Sequence, residues 1–298
     1  MSYTRDLPPG WVPPPIALPG GRSLTFDHAL IMGVVNVTPD SFSDGGRYLD
    51  AAHAVAHGLR LVREGADLLD VGGESTRPGS APTDEATQIA RVIPVIRALS
   101  EASPVPISID TTSAKVAAAA IEAGACVVND ISAFRFDDAM LPLLARTEVA
   151  AIAMHTLDRP SEMQRDPRYS DVVSEVIAHL EGRLAACEEA GVAVERLLID
   201  PGIGFGKTTA HNLALLAQTR RLTALGRPVV VGTSRKRFLG ESTGRGVDER
   251  DVATAASVAV AVALGAHVVR VHDVAACRDA VSVASAISRA ERGAPDPG

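Results

Sequence analysis

Polar and ionisable side chains follow short apolar segments throughout this 298-residue sequence. In MGVVNVTPDSFSDGG, residues 32–46, an apolar run gives way at Asn36 to amide, hydroxyl and carboxylate groups. Such residues are typical of solvated turns, but turns do not require the Lys, Arg and His that follow later segments, so we expect one binding site. The residues at the segment ends are Asn36, Asp70, Glu74, Asp110, Asn129, Asp130, Met154, His155, Asp200, Ser234, Lys236, Arg270 and His272.

The carboxylate and amide residues of this set suit a flat, nitrogen-rich ligand. Asp110, Asn129 and Asp200 could accept several N–H hydrogen bonds from one heterocycle, because a carboxylate can accept two such bonds at once. For Asp110, which precedes TTSAKVAAA, capping of the following helix is the competing interpretation.

The cationic residues suit a multiply charged anion. Asn36 could offer an oxygen ligand to Mg²⁺ beside that anion, and Ser75 and Thr76 could donate hydroxyl hydrogen bonds. The run SRKR follows an apolar segment and is expected to open a helix, where anions bind well. The cations concerned are Arg77, Lys236, Arg237, Arg270 and His272.

The stretch PGIGFGKT resembles a phosphate-binding loop but lacks its first glycine. That motif needs Gly five residues before the Gly-Lys pair, where this sequence has Pro201. We therefore expect no ATP site here. The glycines are instead expected to let the backbone approach a flat ligand closely, with Phe205 covering an apolar face.

Eight short apolar segments, each followed by a helical pattern, predict eight parallel strands buried on both faces. Right-handed connections close such a chain most simply into an α/β fold, a single-domain (β/α)8 TIM barrel, with its site at the carboxyl ends of the strands. An open doubly wound sheet is the alternative, but the first strand is not followed by a dinucleotide glycine fingerprint. The predicted strands are residues 30–37, 67–73, 105–111, 126–132, 149–155, 196–202, 228–234 and 267–273.

The composition of the chain predicts its domain limits, its binding partners and its location in the cell. Residues 1–28 are predicted to be an extended, proline-rich arm, residues 29–290 the catalytic barrel, and residues 291–298 a frayed tail. A net charge of −7 argues against nucleic-acid binding. No apolar run reaches the roughly 18 residues of a membrane span, and three widely separated cysteines suit reduced thiols, so a cytoplasmic enzyme is expected.

One predicted helix, DVATAASVAVAVALGA, is apolar around most of its circumference. An outer helix of a barrel normally keeps a polar face. The pattern predicts a homodimer built from the later helices, and coverage of this helix by the N-terminal arm is the alternative.

Seven motifs, in order and spacing, resemble dihydropteroate synthase from about residue 30 to 290. They are MGVVNVTPDSFSDGG, DVGGESTRPG, SIDTT, VVNDIS, DPGIGFGKT, VGTSRKRFLG and VRVHDV. The resemblance implies a (β/α)8 barrel, usually dimeric, that joins 4-aminobenzoate to a pterin methyl diphosphate and releases pyrophosphate. A methyltetrahydrofolate methyltransferase would not need the STRPG and RVHDV cations, and a noncatalytic pterin-binding paralogue should have lost catalytic positions.

The resemblance also implies residue roles. The pterin would be held by Asp110, Asn129, Asp200 and Lys236. The diphosphate and Mg²⁺ would be bound by Asn36, Thr76, Arg77, Arg270 and His272. Loops 38–43 and 75–78 would close over the complex, and the aminobenzoate would be surrounded by Ser234, Phe42 and Pro78. Met154 and Phe205 are further expected substrate contacts, and the expected catalytic residues are Arg270, His272, Lys236 and Asp110.

One position departs from the family pattern. After the fifth predicted strand, relatives often have Gly where MHTLDRPSEMQ has Asp158. This predicts a stiffer loop.

Overall fold

The computed structural model describes residues 3–5, 7–8, 10–38, 47–75, 79–291 and 293, with the backbone alone for residues 47–50. Its strands, numbered along the chain, are β1 (Ile16–Leu18), β2 (Arg22–Leu24), β3 (Leu30–Asn36), β4 (Leu68–Gly72), β5 (Ile107–Asp110), β6 (Val127–Asp130), β7 (Ala150–Met154), β8 (Leu197–Asp200), β9 (Val230–Val231) and β10 (Val268–Val271).

The strands β3 to β10 form one parallel sheet in the order β8-β7-β6-β5-β4-β3-β10-β9. A parallel bridge between Ile199 and Val229 joins the two outer strands. Because the sheet meets itself, the predicted (β/α)8 TIM barrel is confirmed and the open doubly wound sheet is wrong.

Helices follow each barrel strand. They are α1 (Arg47–Glu64), α2 (Glu85–Ala102), α3 (Ala114–Glu122), α4 (Met140–Ala145), α5 (Val172–Glu189), α6 (Thr209–Ala217), α7 (Thr219–Thr223), α8 (Arg237–Thr243), α9 (Asp251–Ala263) and α10 (Val274–Glu291). The repeated motifs EGAD, EAGA, EAGV and ALGA place glycine where a helix is predicted to end. These glycines have positive φ angles, as left-handed C-terminal caps do; they are Gly65, Gly124, Gly191 and Gly265.

Two apolar layers hold the barrel. Outside the sheet, side chains such as Leu69 and Ile109 pack with the helices, and inside it Met32 and Ile152 fill the amino-terminal half. The hairpin of β1 and β2 packs against that inner layer, so the predicted arm contains a short regular element. The hairpin closes the amino ends of the strands and leaves the carboxyl ends available for binding.

Among the helices that the structure describes, none is long and apolar enough to cross a membrane. Most of the predicted tail, 291–298, lies outside the described residues.

Candidate active site

The sheet register brings the strand-end residues together. Asn36 of β3 is paired with Gly72, Gly72 with Asp110, and Asp110 with Asn129. Ser113 supplies the side-chain cap of α3 through the Val116 N–H. The helix-capping interpretation of Asp110 is therefore wrong.

Arg270 lies at the centre of a buried charge network. Its Nε donates to Asp70 Oδ2 at 2.6 Å, and its Nη2 donates to Asp110 Oδ2 at 2.8 Å. Asn129 Nδ2 donates to the same Asp70 oxygen at 3.1 Å. Asp70, Asp110, Asn129 and Arg270 are thus linked across four strands of the barrel.

Burial decides the ionisation of this network. Desolvation raises the pKa of Asp110 to about 7, because the lowering effect of Arg270 is smaller and Asp70 adds like charge. Burial alone would lower the pKa of Arg270, but Asp70 and Asp110 together raise it. A ligand that donates N–H groups to Asp110 would favour the ionised carboxylate.

A second wall of the site is built from β8 and the segment after β9. Asp200 Oδ1 accepts a 2.7 Å hydrogen bond from the Gly202 N–H, and burial raises the pKa of Asp200 while Lys236 opposes that rise. Lys236 Nζ donates to the Ile203 carbonyl and lies 4.8 Å from the centre of the Phe205 ring. Burial lowers the pKa of Lys236 to about 8.

The three cations of the run SRKR lie in three different environments. Arg235 makes a bidentate pair with Asp251, at 2.8 and 3.1 Å, and Arg237 pairs with Glu241 with a side chain that is 90% exposed. Of the three cations, only Lys236 turns into the site. The helix that it precedes, α8, has seven residues.

His272 pairs with Ser234 at the neighbouring strand ends. The two side chains approach to 2.9 Å between Nδ1 and Oγ, and the His272 N–H donates to the same hydroxyl at 3.2 Å. Met154 is buried at the end of β7, in register with Asp200. These residues therefore share the rim with the charge network.

The glycines of DPGIGFGK make close approaches to the protein itself. A methyl group on Gly202, which has a φ of 67°, would lie 1.8 Å from the His155 carbonyl oxygen. One on Gly204 would lie 2.9 Å from the Lys236 side chain. Close contacts within the protein therefore account for glycine at positions 202 and 204, and the approach of a ligand is not needed to explain them.

Some predicted site residues lie outside the described residues: Phe42, Thr76, Arg77 and Pro78. Asn36 is half-buried at the end of β3, and its Oδ1 would lie 3.9 Å from a methyl group on Gly72. Over the described ranges, no three His, Cys, Asp or Glu side chains are grouped to hold a metal ion by themselves.

Comparison with known proteins gives the site a family. Residues 32–272 match the family model described as pterin binding enzyme. Dihydropteroate synthase of Mycobacterium leprae is 49% identical over 266 residues, covering 86% of this chain and 92% of that protein. The chain belongs to the dihydropteroate synthase family of pterin-binding enzymes.

Solved structures of this family share the fold. A Xanthomonas albilineans dihydropteroate synthase with 4-aminobenzoic acid superposes with a TM-score of 0.87 at 47% identity, covering 92% of this chain and 98% of that one. The same organism's enzyme in complex with 7,8-dihydropteroate gives a TM-score of 0.83 at 45% identity, with coverage of 92% and 98%.

Sequence reasoning left three residues of this dihydropteroate synthase family member without a role. Asp70 is central to the charge network, and Lys207 and His155 form a buried 2.9 Å contact beside Asp200. A signal for Asp70 was available, because a carboxylate inside an apolar strand needs a partner. Lys207 belongs to PGIGFGKT, the stretch that lacks the first glycine of a phosphate-binding loop.

The structure gives Asp158 a local role. Its carboxylate accepts the Arg159 N–H at 2.7 Å, and its carbonyl accepts the Thr156 hydroxyl at 2.8 Å. Two residues after Asp158, the Pro160 carbonyl accepts the Gly79 N–H at 3.2 Å. The loop after β7 is therefore held by its own turn and tied to the loop after β4.

Proposed function

We propose that this chain catalyses the dihydropteroate synthase reaction, joining 4-aminobenzoate to 6-hydroxymethyl-7,8-dihydropterin diphosphate and releasing pyrophosphate. The observation that carries the proposal is a pair of carboxylates, the largely buried Asp110 and the buried Asp200, on two walls of one cation-containing rim. The named relatives and structures support this reaction over the methyltransferase and the noncatalytic paralogue.

The residues suit an ionising displacement. Asp110, Asn129 and Asp200 would accept hydrogen bonds from N–H groups along the pterin edge, and Phe205 beside Lys236 would cover its face. The bond between the pterin methylene and the diphosphate oxygen breaks, which delocalises positive charge into the pterin ring. Its electron pair leaves with the diphosphate, where His272 would stabilise the charge.

The aryl amine then attacks the methylene carbon with its lone pair and loses a proton. Because that amine is neutral and nucleophilic, we assign no dedicated general base. Ser234, placed beside His272, would contact the aminobenzoate.

We also propose that Mg²⁺ binds at the end of β3, where the side-chain oxygen of Asn36 would be its protein ligand. Mg²⁺ usually keeps several waters and completes its coordination with substrate phosphates, so one protein oxygen from Asn36 is sufficient. When bound, the ion would supply charge neutralisation for the diphosphate.

Three buried free cysteines support a reducing, cytoplasmic setting for the reaction.

Asp200→Asn is expected to weaken binding of the pterin diphosphate by about ten- to a hundredfold, because one charge-assisted hydrogen bond is lost. Isothermal titration measures this, together with pyrophosphate release on addition of 4-aminobenzoate. Asp279→Asn, on the exposed face of α10, is the matched control. Equal affinity in both variants, or no turnover by the wild type, contradicts the proposed function.

A sulfonamide that imitates 4-aminobenzoate should bind about tenfold or more tightly when pyrophosphate and Mg²⁺ are both present. The anion and the metal would favour the state that forms the aminobenzoate pocket; most of the two loops predicted to close over it, 38–43 and 75–78, lies outside the described residues. Titration of the inhibitor without pyrophosphate and Mg²⁺, with both, and with pyrophosphate after removal of Mg²⁺ with EDTA measures the coupling. Identical affinities with and without the two ligands would rule out the coupling, and identical affinities before and after EDTA would rule out the metal.

We further propose that the chain forms a homodimer through α9 and α10, which pack together and expose Val252, Val260, Val283 and Ile287. Sedimentation at micromolar concentration should give about twice the 31.0 kDa chain mass. Val260→Lys should shift the protein to monomer, whereas Val12→Lys on the arm should not. A wild-type monomer would count against the dimer.

A further inference from the structure

Lysine is rare in this protein, and two of its lysines interact with Asp200. Of 29 lysine and arginine residues, only three are lysines. Lys115 lies on α3 with a 70% exposed side chain beside Glu85, whereas Lys207 is buried and Lys236 half-buried, both interacting with Asp200. A compact ammonium differs from a planar guanidinium in shape and in its ability to lose a proton, so these two positions suit an amine.

Lys207 is only 4% exposed, and two of its N–H bonds are accounted for. Its Nζ donates to the Phe205 carbonyl at 2.9 Å and contacts His155 Nδ1 at 2.9 Å. Burial and the Lys207 charge lower the pKa of His155 to about 2, so the ring is neutral and its Nδ1 accepts the hydrogen bond.

The segment 201–207 is held at five consecutive carbonyl groups. Gly202 O accepts the Phe205 N–H at 3.0 Å, Gly204 O accepts Gln164 Nε2 at 2.7 Å, and Gly206 O accepts the Tyr169 hydroxyl at 2.9 Å. Lys236 holds the carbonyl of residue 203, and Lys207 holds that of residue 205. Lys207 therefore fixes the backbone of the residue whose ring lies beside Lys236.

We infer that Lys207 is a positioning residue of the pterin site. Its buried ammonium holds the Phe205 backbone against His155 and, together with the larger effect of Lys236, adds positive charge that favours the ionised form of Asp200. This inference rests on the proposed function, because the pterin is what Asp200 and Phe205 would contact.

The charge of Lys207 should matter over a defined pH range. Burial lowers its pKa to about 7, against the raising effect of Asp200, and Lys236 lowers it further. The other titratable groups that interact with it are His155 after β7, His179 of α5 and His211 of α6. Lys207 is charged below its pKa and loses that charge as the pH rises above it.

The test compares Lys207→Met with wild type, using 6-hydroxymethylpterin as the probe. At about pH 6 the variant should bind about tenfold more weakly, and at about pH 8.5 the difference should fall below about threefold, because the wild type has then lost the charge. Lys115→Met is the matched control and should bind like wild type. A difference that is absent, or equal at both pH values, overturns the inference, since packing alone would give a constant loss.

A second measurement needs no variant at position 207. In protein labelled with ¹³Cε-lysine there are three lysine signals, and Lys115→Met and Lys236→Met assign two of them by their loss. The remaining Lys207 signal should titrate near neutral pH and shift when the pterin is added. If the Lys207 signal does not shift in a wild-type protein that binds the pterin, the inference about Lys207 is overturned and the proposed function is not. A wild type that binds no pterin overturns the proposed function instead.

Discussion

Arg270→Met is expected to lower the free energy of unfolding by about 3 to 5 kcal/mol at about pH 8, and to abolish pterin binding. The substitution would leave the Asp70 and Asp110 carboxylates buried without the guanidinium that now binds both. A buried charge that loses its partner keeps the full cost of its desolvation, and that cost is the source of the expected loss.

The loss should depend on pH with a definite sign. Asp110 has a pKa raised to about 7 even with Arg270 present, and removal of the cation raises it further. Between the pKa of the unfolded carboxyl and this raised value, the folded state binds more protons, so stability falls as the pH rises. The deficit of Arg270→Met should therefore be smaller at about pH 5 than at about pH 8.

Urea unfolding at the two pH values measures the effect. Arg237→Met is the matched control, because the Arg237 side chain is 90% exposed and its pair with Glu241 should contribute less than about 1 kcal/mol. The double variant Asp70→Asn with Arg270→Met should recover part of the loss. Equal losses of unfolding free energy in Arg270→Met and Arg237→Met would show that the charge network around Arg270 does not stabilise the barrel.

Gly202→Ala is expected to destabilise the protein by more than about 3 kcal/mol and to eliminate pterin binding. The new methyl group would lie 1.8 Å from the backbone oxygen of His155, and neither backbone can yield without moving β8 or β7. The displaced Gly202 N–H would also leave the Asp200 carboxylate that it now donates to.

Gly21→Ala separates backbone conformation from this steric conflict. Gly21 has a φ of 73°, close to that of Gly202, but a methyl group there meets no atom within 4 Å. The control should therefore lose only about 1 to 2 kcal/mol, the cost of a left-handed conformation. Thermal unfolding of both variants checks the comparison. Similar losses of stability would show that the left-handed φ angle alone, without a steric conflict, explains the effect at position 202.

The sequence by itself determined the barrel. A run such as LIMGVVNV is apolar at nearly every position, and only a strand buried on both faces accommodates that pattern without exposing apolar side chains. Glycines such as Gly124 then marked helix ends, because other residues resist the left-handed conformation that caps them. Ordered motifs also identified the family, which the comparisons confirmed.

Only the tertiary structure decided how the site residues pair. Arg270 binds carboxylates that lie 200 and 160 residues away in the chain, and no local spacing encodes which partner a side chain reaches. The three adjacent cations of SRKR make three different sets of contacts, because the direction of each side chain depends on the elements packed around it. Pro201 excluded a phosphate-loop role for Lys207, but only the fold, which places its amine against His155, assigned it another one, because burial and partners, rather than residue type, set the chemistry of an amine.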